Sequence, residues 1–218
     1  ENLIIASDRR EAMGITGTVQ ETSIPGKFLV DLEYEPLFDI PELKKSENAY
    51  KIYAADFVSA TEGTGVVHTA VMYGEDDYRL GSEVGLPKFH TVGEDGKFKK
   101  GIGLGVLEGL DVKAEETTKK ILEILGDKIF HQAPYPHEYP HCWRCDTPLL
   151  YYARKAWWVK TTAVKDKLLK NNEDITWIPG HLKHGRFGEF LRDVRDWCFS
   201  RERYWGTPLP IWKCSNEN

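Results

Sequence analysis

Long apolar segments are missing from this 218-residue sequence. A helix that crosses a bilayer needs about 20 consecutive apolar residues, and no run approaches that length. Residues 1–5 (ENLII) also lack the basic start and small-residue cleavage site of a secretory signal peptide. Internal repeats and low-complexity tracts are absent too. These absences predict a cytoplasmic globular protein without a membrane partner.

Cysteine is scarce, with four residues at Cys142, Cys145, Cys198 and Cys214. Without a secretory signal, these are expected to be reduced thiols or metal ligands and not disulfides. Hydrophobic residues make up 41% of the chain, an ordinary share for a globular protein. A chain of this length therefore builds a core without covalent or metal cross-links.

Charge is distributed unevenly along the chain. Residues 1–150 hold 16 Lys and Arg against 26 Asp and Glu, whereas residues 151–218 hold 13 against 8. A basic end on an acidic body could meet a phosphate backbone. A solvated surface with no such partner explains the same distribution, and charge alone favours this second interpretation.

The first seventy residues follow the period of two that is typical of β-strands. Short strands are predicted over residues 3–6, 14–22, 27–38, 50–58 and 63–68. From Asp111 the period changes to that of amphipathic helices. The first helix is predicted with an N-cap at Asp111 and an end at Gly126, and further helices over residues 163–169 and 186–197.

The densest chemical signal is GTGVVHTAVMYGEDDY, residues 63–78. Its glycines allow backbone amides to approach a ligand closely. An ionised carboxylate such as Asp77 can hold an ammonium group, and His68 can relay protons or donate a hydrogen bond. The alternative is a strand and a turn leading into a helix with acids at its N-terminus, where they are common.

This segment resembles the editing signature of isoleucyl-tRNA synthetases, a GTG-x-VH-x-AP pattern followed by GEDDY. The related valyl and leucyl enzymes differ at the position of His68 and lack the GEDDY ending. The resemblance implies hydrolysis of valine wrongly attached to isoleucine tRNA. It assigns Asp77 to the α-amino group of the amino acid, and His68 to a side-chain pocket that excludes isoleucine. Val71 departs from the family, which usually has proline there.

The implied reaction is attack by water on the ester, positioned by the protein and helped by the ribose hydroxyl, with no protein nucleophile. Asp77 and His68 are the predicted catalytic residues. Residues predicted to contact the substrate come from the same segment: Gly63, Thr64, Gly65, Thr69, Asp76 and Tyr78. No cofactor is required for this hydrolysis. ATP and magnesium are expected in the parent enzyme alone.

A Cys-x-x-Cys pair, Cys142 and Cys145, could hold half of a zinc site. His137 and His141 could complete the four ligands. In the family this pair forms part of a zinc knuckle, so the resemblance implies an incomplete zinc site here. A redox role is less favoured, since no thioredoxin-like βαβ pattern surrounds the pair.

The last motif, DWCFSRERYWGTPLPIW at residues 196–212, interleaves arginine with aromatic residues. Such a segment could stack on nucleic acid, or it could be a helix-to-strand junction packed with aromatics. It resembles the point where these synthetases return to their catalytic domain. The adenylate-forming signatures HIGH and KMSKS do not occur, and neither does the threonine-rich peptide of the editing pocket. We therefore expect no synthetic activity from this chain.

The resemblance implies a mainly β fold with flanking helices: a closed β-barrel editing domain over residues 1–155. A small helical and extended segment, residues 156–218, would join it to the catalytic domain. The expected partners are that domain and isoleucine tRNA carrying valine, and we expect a monomer. Two alternatives remain. One is a non-catalytic module that binds the tRNA acceptor end with a vestigial pocket, and the other is a zinc-knuckle interaction domain.

Overall fold

The computed structural model describes residues 3–15, 24–134, 136–201 and 208–214. The chain divides into two compact units, Glu1–Ala153 and Arg154–Asn218. The helices of the first unit are α1 (Glu75–Glu83) and α2 (Glu115–Leu125). The second unit contains β1 (Trp158–Val159), α3 (Lys165–Glu173), α4 (Arg186–Arg192) and β2 (Trp197–Cys198). The predicted functional division, residues 1–155 and 156–218, stays a prediction.

The closed β-barrel predicted for the first unit is wrong. Within the described ranges the chain has one sheet, the antiparallel pair β1–β2, and it lies in the second unit. In its described residues, the first unit has two helices, short 3-10 turns and loops joined by isolated bridges, such as Glu33 with Lys51. Of the predicted strand at residues 14–22, the part from residue 16 onward lies outside the described residues.

Left-handed backbone explains why alternating residues fail to form ladders here. Asp31 has a φ of 68° and Tyr50 a φ of 59°, so both paired segments bend beside their bridge. The segment at residues 63–68 is interrupted in the same way, by Gly65 at a φ of 78°. Apolar alternation therefore reflects partial burial of irregular chain and not a pleated sheet.

The three predicted helices are confirmed with different bounds. α2 ends at Leu125 with the expected Gly126 as its C-cap, but its N-cap is Ala114 and not Asp111. Asp111 still supports the helix start, since its carbonyl accepts the Thr117 hydroxyl at 2.7 Å. α3 and α4 lie at the other two predicted positions, and α4 stops at Arg192, five residues before the predicted end. None of the helices within the described ranges has the length and apolar character to cross a membrane.

The core of the first unit is a cluster of Ile40, Leu104 and Leu107, each at most 8% exposed. Burying one such side chain contributes about 1.5–3 kcal/mol. Partly buried residues pack around the cluster: Phe38, Leu43, Phe89, Phe98, Ile102, Leu110 and Ile121. Because Leu104 and Leu107 belong to one short loop, the shape of that loop decides how the core closes.

The second unit is organised by side-chain hydrogen bonds as well as by helix packing. Asn172 of α3 is 2% exposed, donates to the Lys183 carbonyl and accepts from the Trp177 indole, both at 2.9 Å. Asp196 accepts from the backbone and the hydroxyl of Thr162 at 3.0 and 2.6 Å, beside the β1–β2 pair. These hydrogen bonds lower the pKa of Asp196.

Candidate functional site

Helix α1 places three acids in its first turn, where the helix dipole favours negative charge. Glu75 and Asp76 are exposed, whereas Asp77 is half-buried. The Asp77 carboxylate occupies the space that a Cβ on Gly74 would fill. Asp77 therefore folds back over the residue that precedes the helix, and glycine at position 74 makes room for it.

The charge of Asp77 is incompletely compensated. Burial raises the pKa of its carboxyl above the ordinary value, and the nearby charge of Asp76 raises it further. A backbone hydrogen bond from Ala70 and the charge of His68 act in the opposite direction without cancelling the effect of burial. An ammonium group beside Asp77 would supply the missing positive charge.

The other residues predicted from the GEDDY end have local partners. Asp76 forms an exposed ion pair with Arg79 at 3.1 Å. The Tyr78 hydroxyl accepts from Lys88 Nζ at 3.1 Å, and the same Nζ lies 4.2 Å from the centroid of the Tyr78 ring. His68 is exposed and Thr69 half-buried. The charges of His68 and Asp76 act on Asp77, and the roles of all three residues toward a substrate stay predictions.

Val71, which stands where the resembling family usually has proline, packs directly onto helix α1. A Cβ added at Gly81 would lie 2.7 and 2.8 Å from the two methyl groups of Val71. Gly81 is itself buried. This close packing fixes the loop of residues 68–74 against the helix that carries Asp77.

The GTG segment, residues 63–65, makes a close contact within the first unit. A Cβ on Gly65 would lie 2.6 Å from the Ala6 Cβ, and the Ala6 backbone N–H donates to the Thr64 carbonyl at 2.7 Å. The Arg9 guanidinium donates to the Gly63 carbonyl at 2.9 Å. Glycine at position 65 therefore allows residues 6–9 to dock on this segment.

A groove of about 650 Å³ opens beside this contact. Gly63, Thr64 and Arg9 line one part of it, and Ile129 and Phe130, which follow α2, line another. Asp77 and His68 are not among its lining residues. The predicted site residues consequently fall into two groups, the GTG segment at the groove and the acids at the start of α1.

Cys142 and Cys145 lie in a hairpin turn with free thiols. The Cys142 N–H donates to the Thr147 carbonyl at 2.9 Å, and the Cys145 thiol lies 3.1 Å from the Thr147 hydroxyl. That hydroxyl contact is the largest cause of the lowered pKa of Cys145. Nδ1 of His141, a predicted zinc ligand, is 2.9 Å from the Asp146 carbonyl.

A structural zinc site needs four ligands. No group of three or more potential metal ligands occurs in the part of the chain that the structure describes. The two thiols alone do not fit a closed zinc site. The half-site predicted at this pair, and the involvement of His137, stay predictions.

Glu108 is a carboxylate that the sequence analysis missed. Its two oxygens accept four consecutive backbone N–H groups, from Gly101 to Leu104, at 2.8–3.3 Å. These bonds lower the pKa of Glu108. A GIGLG run followed three residues later by an acid is the signal that could have revealed it. Glu108 holds the loop that delivers Leu104 and Leu107 to the core, so its role is structural.

Comparison with known proteins identifies the family. A family model described as tRNA synthetases class I (I, L, M and V) matches residues 19–218. The chain belongs to the class I tRNA synthetase family. That model describes the class I synthetases as a group and not an editing barrel, which agrees with the correction of the fold.

Relatives within the class I synthetases are isoleucine–tRNA ligases. The chain is 47% identical over 193 residues to the isoleucine–tRNA ligase of Bacillus thuringiensis (strain Al Hakam), covering 88% of this chain and 18% of that protein. It is 45% identical over 220 residues to that of Clostridium novyi (strain NT), covering 98% and 20%. The chain therefore spans about a fifth of the length of the curated relatives it matches.

Proposed function

We propose that this chain is part of an isoleucine–tRNA ligase and hydrolyses valine that is wrongly esterified to isoleucine tRNA. Membership of the class I synthetases and the names of the relatives support the ligase part of this proposal. The observation that carries the editing part is the half-buried carboxylate of Asp77, whose pKa is raised by burial.

Asp77 has the properties required to hold the α-ammonium group of an aminoacyl ester. Its carboxylate lies over Gly74 at the N-terminus of α1, and neighbouring groups neutralise its charge only in part. An ammonium group would form a charge-assisted hydrogen bond there, which is about twice as strong as a neutral one. Fixing the ammonium group fixes the ester carbonyl, which is bonded to the same α-carbon.

The chemical step needs water and not a protein nucleophile. Water adds to the ester carbonyl, and the ribose oxygen leaves with a proton. We assign to His68, whose charge acts on Asp77, the donation of a hydrogen bond or the transfer of a proton. Its imidazole also provides the bulk that would exclude a side chain larger than valine.

The partners follow from the same proposal. Isoleucine tRNA carrying valine is the substrate, and the basic residues of 151–218 are suited to its phosphates. ATP and magnesium would serve adenylate formation elsewhere in the ligase, not this hydrolysis. A monomer in the cytoplasm is the setting that we propose.

The proposal is tested by measuring how fast the full-length ligase that contains this chain removes valine from isoleucine tRNA. Asp77→Asn removes the charge at nearly constant shape, and we expect hydrolysis to slow by about 100-fold because the ester is no longer positioned. The matched control is Glu83→Gln, which removes an exposed carboxylate at the far end of the same helix. The control is expected to hydrolyse at the unmodified rate.

The competing function is a binding module with a vestigial pocket. An Asp77→Asn ligase that keeps its full deacylation rate would exclude the editing role of this carboxylate. If the same ligase lost tRNA affinity when basic residues of 151–218 were neutralised, the binding module would replace our proposal. Loss of hydrolysis in Asp77→Asn with unchanged tRNA affinity supports editing.

A further inference from the structure

The side chain of Tyr73 joins the loop of residues 68–74 to a segment further along the chain. Its hydroxyl accepts a hydrogen bond from the Val92 N–H at 2.8 Å and lies 3.2 Å from the hydroxyl oxygen of Thr91. Both contacts are partly buried, and Val92 is 7% exposed. A hydrogen bond removed from water is strengthened by the low local dielectric. The hydroxyl therefore fixes the position of Tyr73 against residues 91 and 92.

Two further rings pack around Tyr73. Its ring meets those of His90 and Tyr152 edge-on, with centroids 5.8 and 5.9 Å away. His90 and Tyr152 stack on each other with their centroids 4.1 Å apart. The Tyr152 hydroxyl donates to the Val92 carbonyl at 3.1 Å. Tyrosine hydroxyls thus bond both the N–H and the carbonyl of Val92, so Tyr73 rests on a segment that is itself held in place.

The main chain closes the same loop independently of the Tyr73 side chain. The Tyr73 N–H donates to the Ala70 carbonyl at 2.8 Å, which closes a turn over residues 70–73. The Ala153 N–H donates to the Met72 carbonyl, also at 2.8 Å, and Met72 is 9% exposed. The hydroxyl of Tyr73 is therefore a separate support of the turn, and it can be removed without deleting a main-chain hydrogen bond within the turn.

The end of this turn determines where the Asp77 carboxylate lies. Gly74 directly follows Tyr73, and the carboxylate occupies the space that a Cβ on Gly74 would fill. The Gly74 carbonyl accepts the Tyr78 N–H at 2.9 Å, at the start of α1. Ala70, at the other end of the turn, supplies the backbone hydrogen bond to Asp77. A displacement of Tyr73 would therefore move Gly74, and with it the carboxylate.

We propose that the Tyr73 hydroxyl is a positioning group for editing: it holds the turn of residues 70–73 on Val92 and so sets the Asp77 carboxylate against the α-ammonium group of the substrate. This role, which rests on the proposed editing function, is exerted through Gly74 and Asp77 and not by contact with the reacting atoms. Because a misplacement of about 1 Å can slow a reaction about 100-fold, partial relaxation of the turn is expected to slow hydrolysis about 10-fold.

Tyr73→Phe in the full-length ligase tests the proposal, because the change removes the hydroxyl and keeps the ring. In deacylation of isoleucine tRNA carrying valine, we expect kcat to fall about 10-fold, with KM unchanged within about twofold because the variant leaves the tRNA contacts intact. The matched control is Tyr53→Phe, which removes a hydroxyl that donates to the Asn48 carbonyl at 2.8 Å. The control loses a hydrogen bond of the same unit and is expected to keep the unmodified kcat.

A double variant with Asp77→Asn distinguishes positioning from a general loss of stability. If Tyr73 acts through Asp77, Tyr73→Phe should slow an Asp77→Asn ligase by less than about twofold, since residues that act as one unit are not additive. A further loss of about 10-fold in the double variant would overturn the proposal. A raised KM with an unchanged kcat in Tyr73→Phe would overturn it too.

The single variant Asp77→Asn separates failure of this proposal from failure of the editing function. An Asp77→Asn ligase that hydrolyses the valyl ester at the unmodified rate removes the editing role, and the role of Tyr73 with it. Slow hydrolysis in Asp77→Asn, together with a kcat in Tyr73→Phe equal to that of Tyr53→Phe, leaves editing in place and overturns the role of Tyr73 alone.

Discussion

Asp77 and Glu108 are two carboxylates of the same compact unit, each supported by glycine-rich backbone, yet their pKa values shift in opposite directions. Four backbone N–H groups converge on Glu108 and lower its pKa. Asp77 receives one backbone hydrogen bond, from Ala70, and burial raises its pKa. Burial is the largest effect at Asp77, whereas backbone donors outweigh burial at Glu108.

This difference separates a structural acid from the acid that we propose to face a ligand. The oxygens of Glu108 are satisfied within its own loop, and that loop carries Leu104 and Leu107 into the core. Asp77 retains a charge that the protein compensates poorly, as is common at functional sites. The variants below test each region separately, beginning with the largest expected effect.

Leu107→Ala tests whether the Glu108 loop anchors the core. Leu107 is 1% exposed, and removing a fully buried leucine costs about 2–5 kcal/mol through lost burial and a residual cavity. Denaturant unfolding should therefore show a large fall in the free energy of unfolding. The neighbour Val106, 69% exposed, is the matched control, and Val106→Ala is expected to change stability by less than about 0.5 kcal/mol. Equal effects of the two changes would contradict the assigned core.

Gly81→Ala tests the packing that holds the Asp77 loop. The added methyl would lie 2.7 Å from Val71, so the loop of residues 68–74 must shift, at a cost of about 1–3 kcal/mol. The control Gly26→Ala meets no atom within 4 Å. The double variant Gly81→Ala with Val71→Ala should recover part of the lost stability, as measured by the same unfolding experiment. No recovery would mean that Val71 is not the neighbour that opposes the methyl group.

Glu108→Gln tests whether the carboxylate of Glu108 makes the stability of the protein depend on pH in the acidic range. Because the pKa of Glu108 is lowered by folding, its carboxylate stabilises the protein above the ordinary carboxyl pKa, and that contribution is lost as the pH falls through the folded value. Melting temperatures across the acidic range should show a smaller slope in the variant than in the unmodified chain. Glu123→Gln, on the exposed side of α2, is the control. An unchanged slope in Glu108→Gln would argue against the role of the carboxylate.

Asp77→Asn is expected to have the smallest effect on the free energy of unfolding. The other variants should lower this free energy, whereas Asp77→Asn should leave it unchanged or raise it. A raised carboxyl pKa means that folding favours the neutral acid, so this contribution is present at low pH and is lost as the pH rises through the folded value. At neutral pH the uncharged amide should therefore match or exceed the stability of the unmodified chain, by less than about 1 kcal/mol given the partial exposure. A clear destabilisation at neutral pH would show that the carboxylate is structural.

Helices were predictable from the sequence because their periodicity and end signals are local. The helical period after Asp111 and the stop at Gly126 predicted α2, and the same period over residues 186–197 predicted α4. The strands failed because period-two alternation does not reveal left-handed residues such as Asp31 and Tyr50. Pairing between distant segments depends on such residues, and composition alone does not indicate them.

The candidate site was predictable in part. The run of acids indicated the helix start, but nothing local showed that Asp77 alone among them would be half-buried. The grouping of His68 with Asp77 in one site stays a prediction. The GTG segment was grouped with these acids, whereas in the structure it docks residues 6–9 and lines a separate groove. Glu108 was overlooked because its partners are backbone amides, which no particular residue type marks. The spacing of the glycines before it is the signal that the sequence offers.

Titration of the individual carboxyl groups by nuclear magnetic resonance tests the central distinction most directly. The spectra would follow Asp77 and Glu108 in the same sample, with and without a non-hydrolysable valyl amide of adenosine. We expect the pKa of Asp77 to start above the ordinary aspartate value and to fall when the ammonium group of the ligand binds, while the low pKa of Glu108 stays unchanged. A pKa of Asp77 that the ligand leaves unaltered, or one already low in the free chain, would contradict the account.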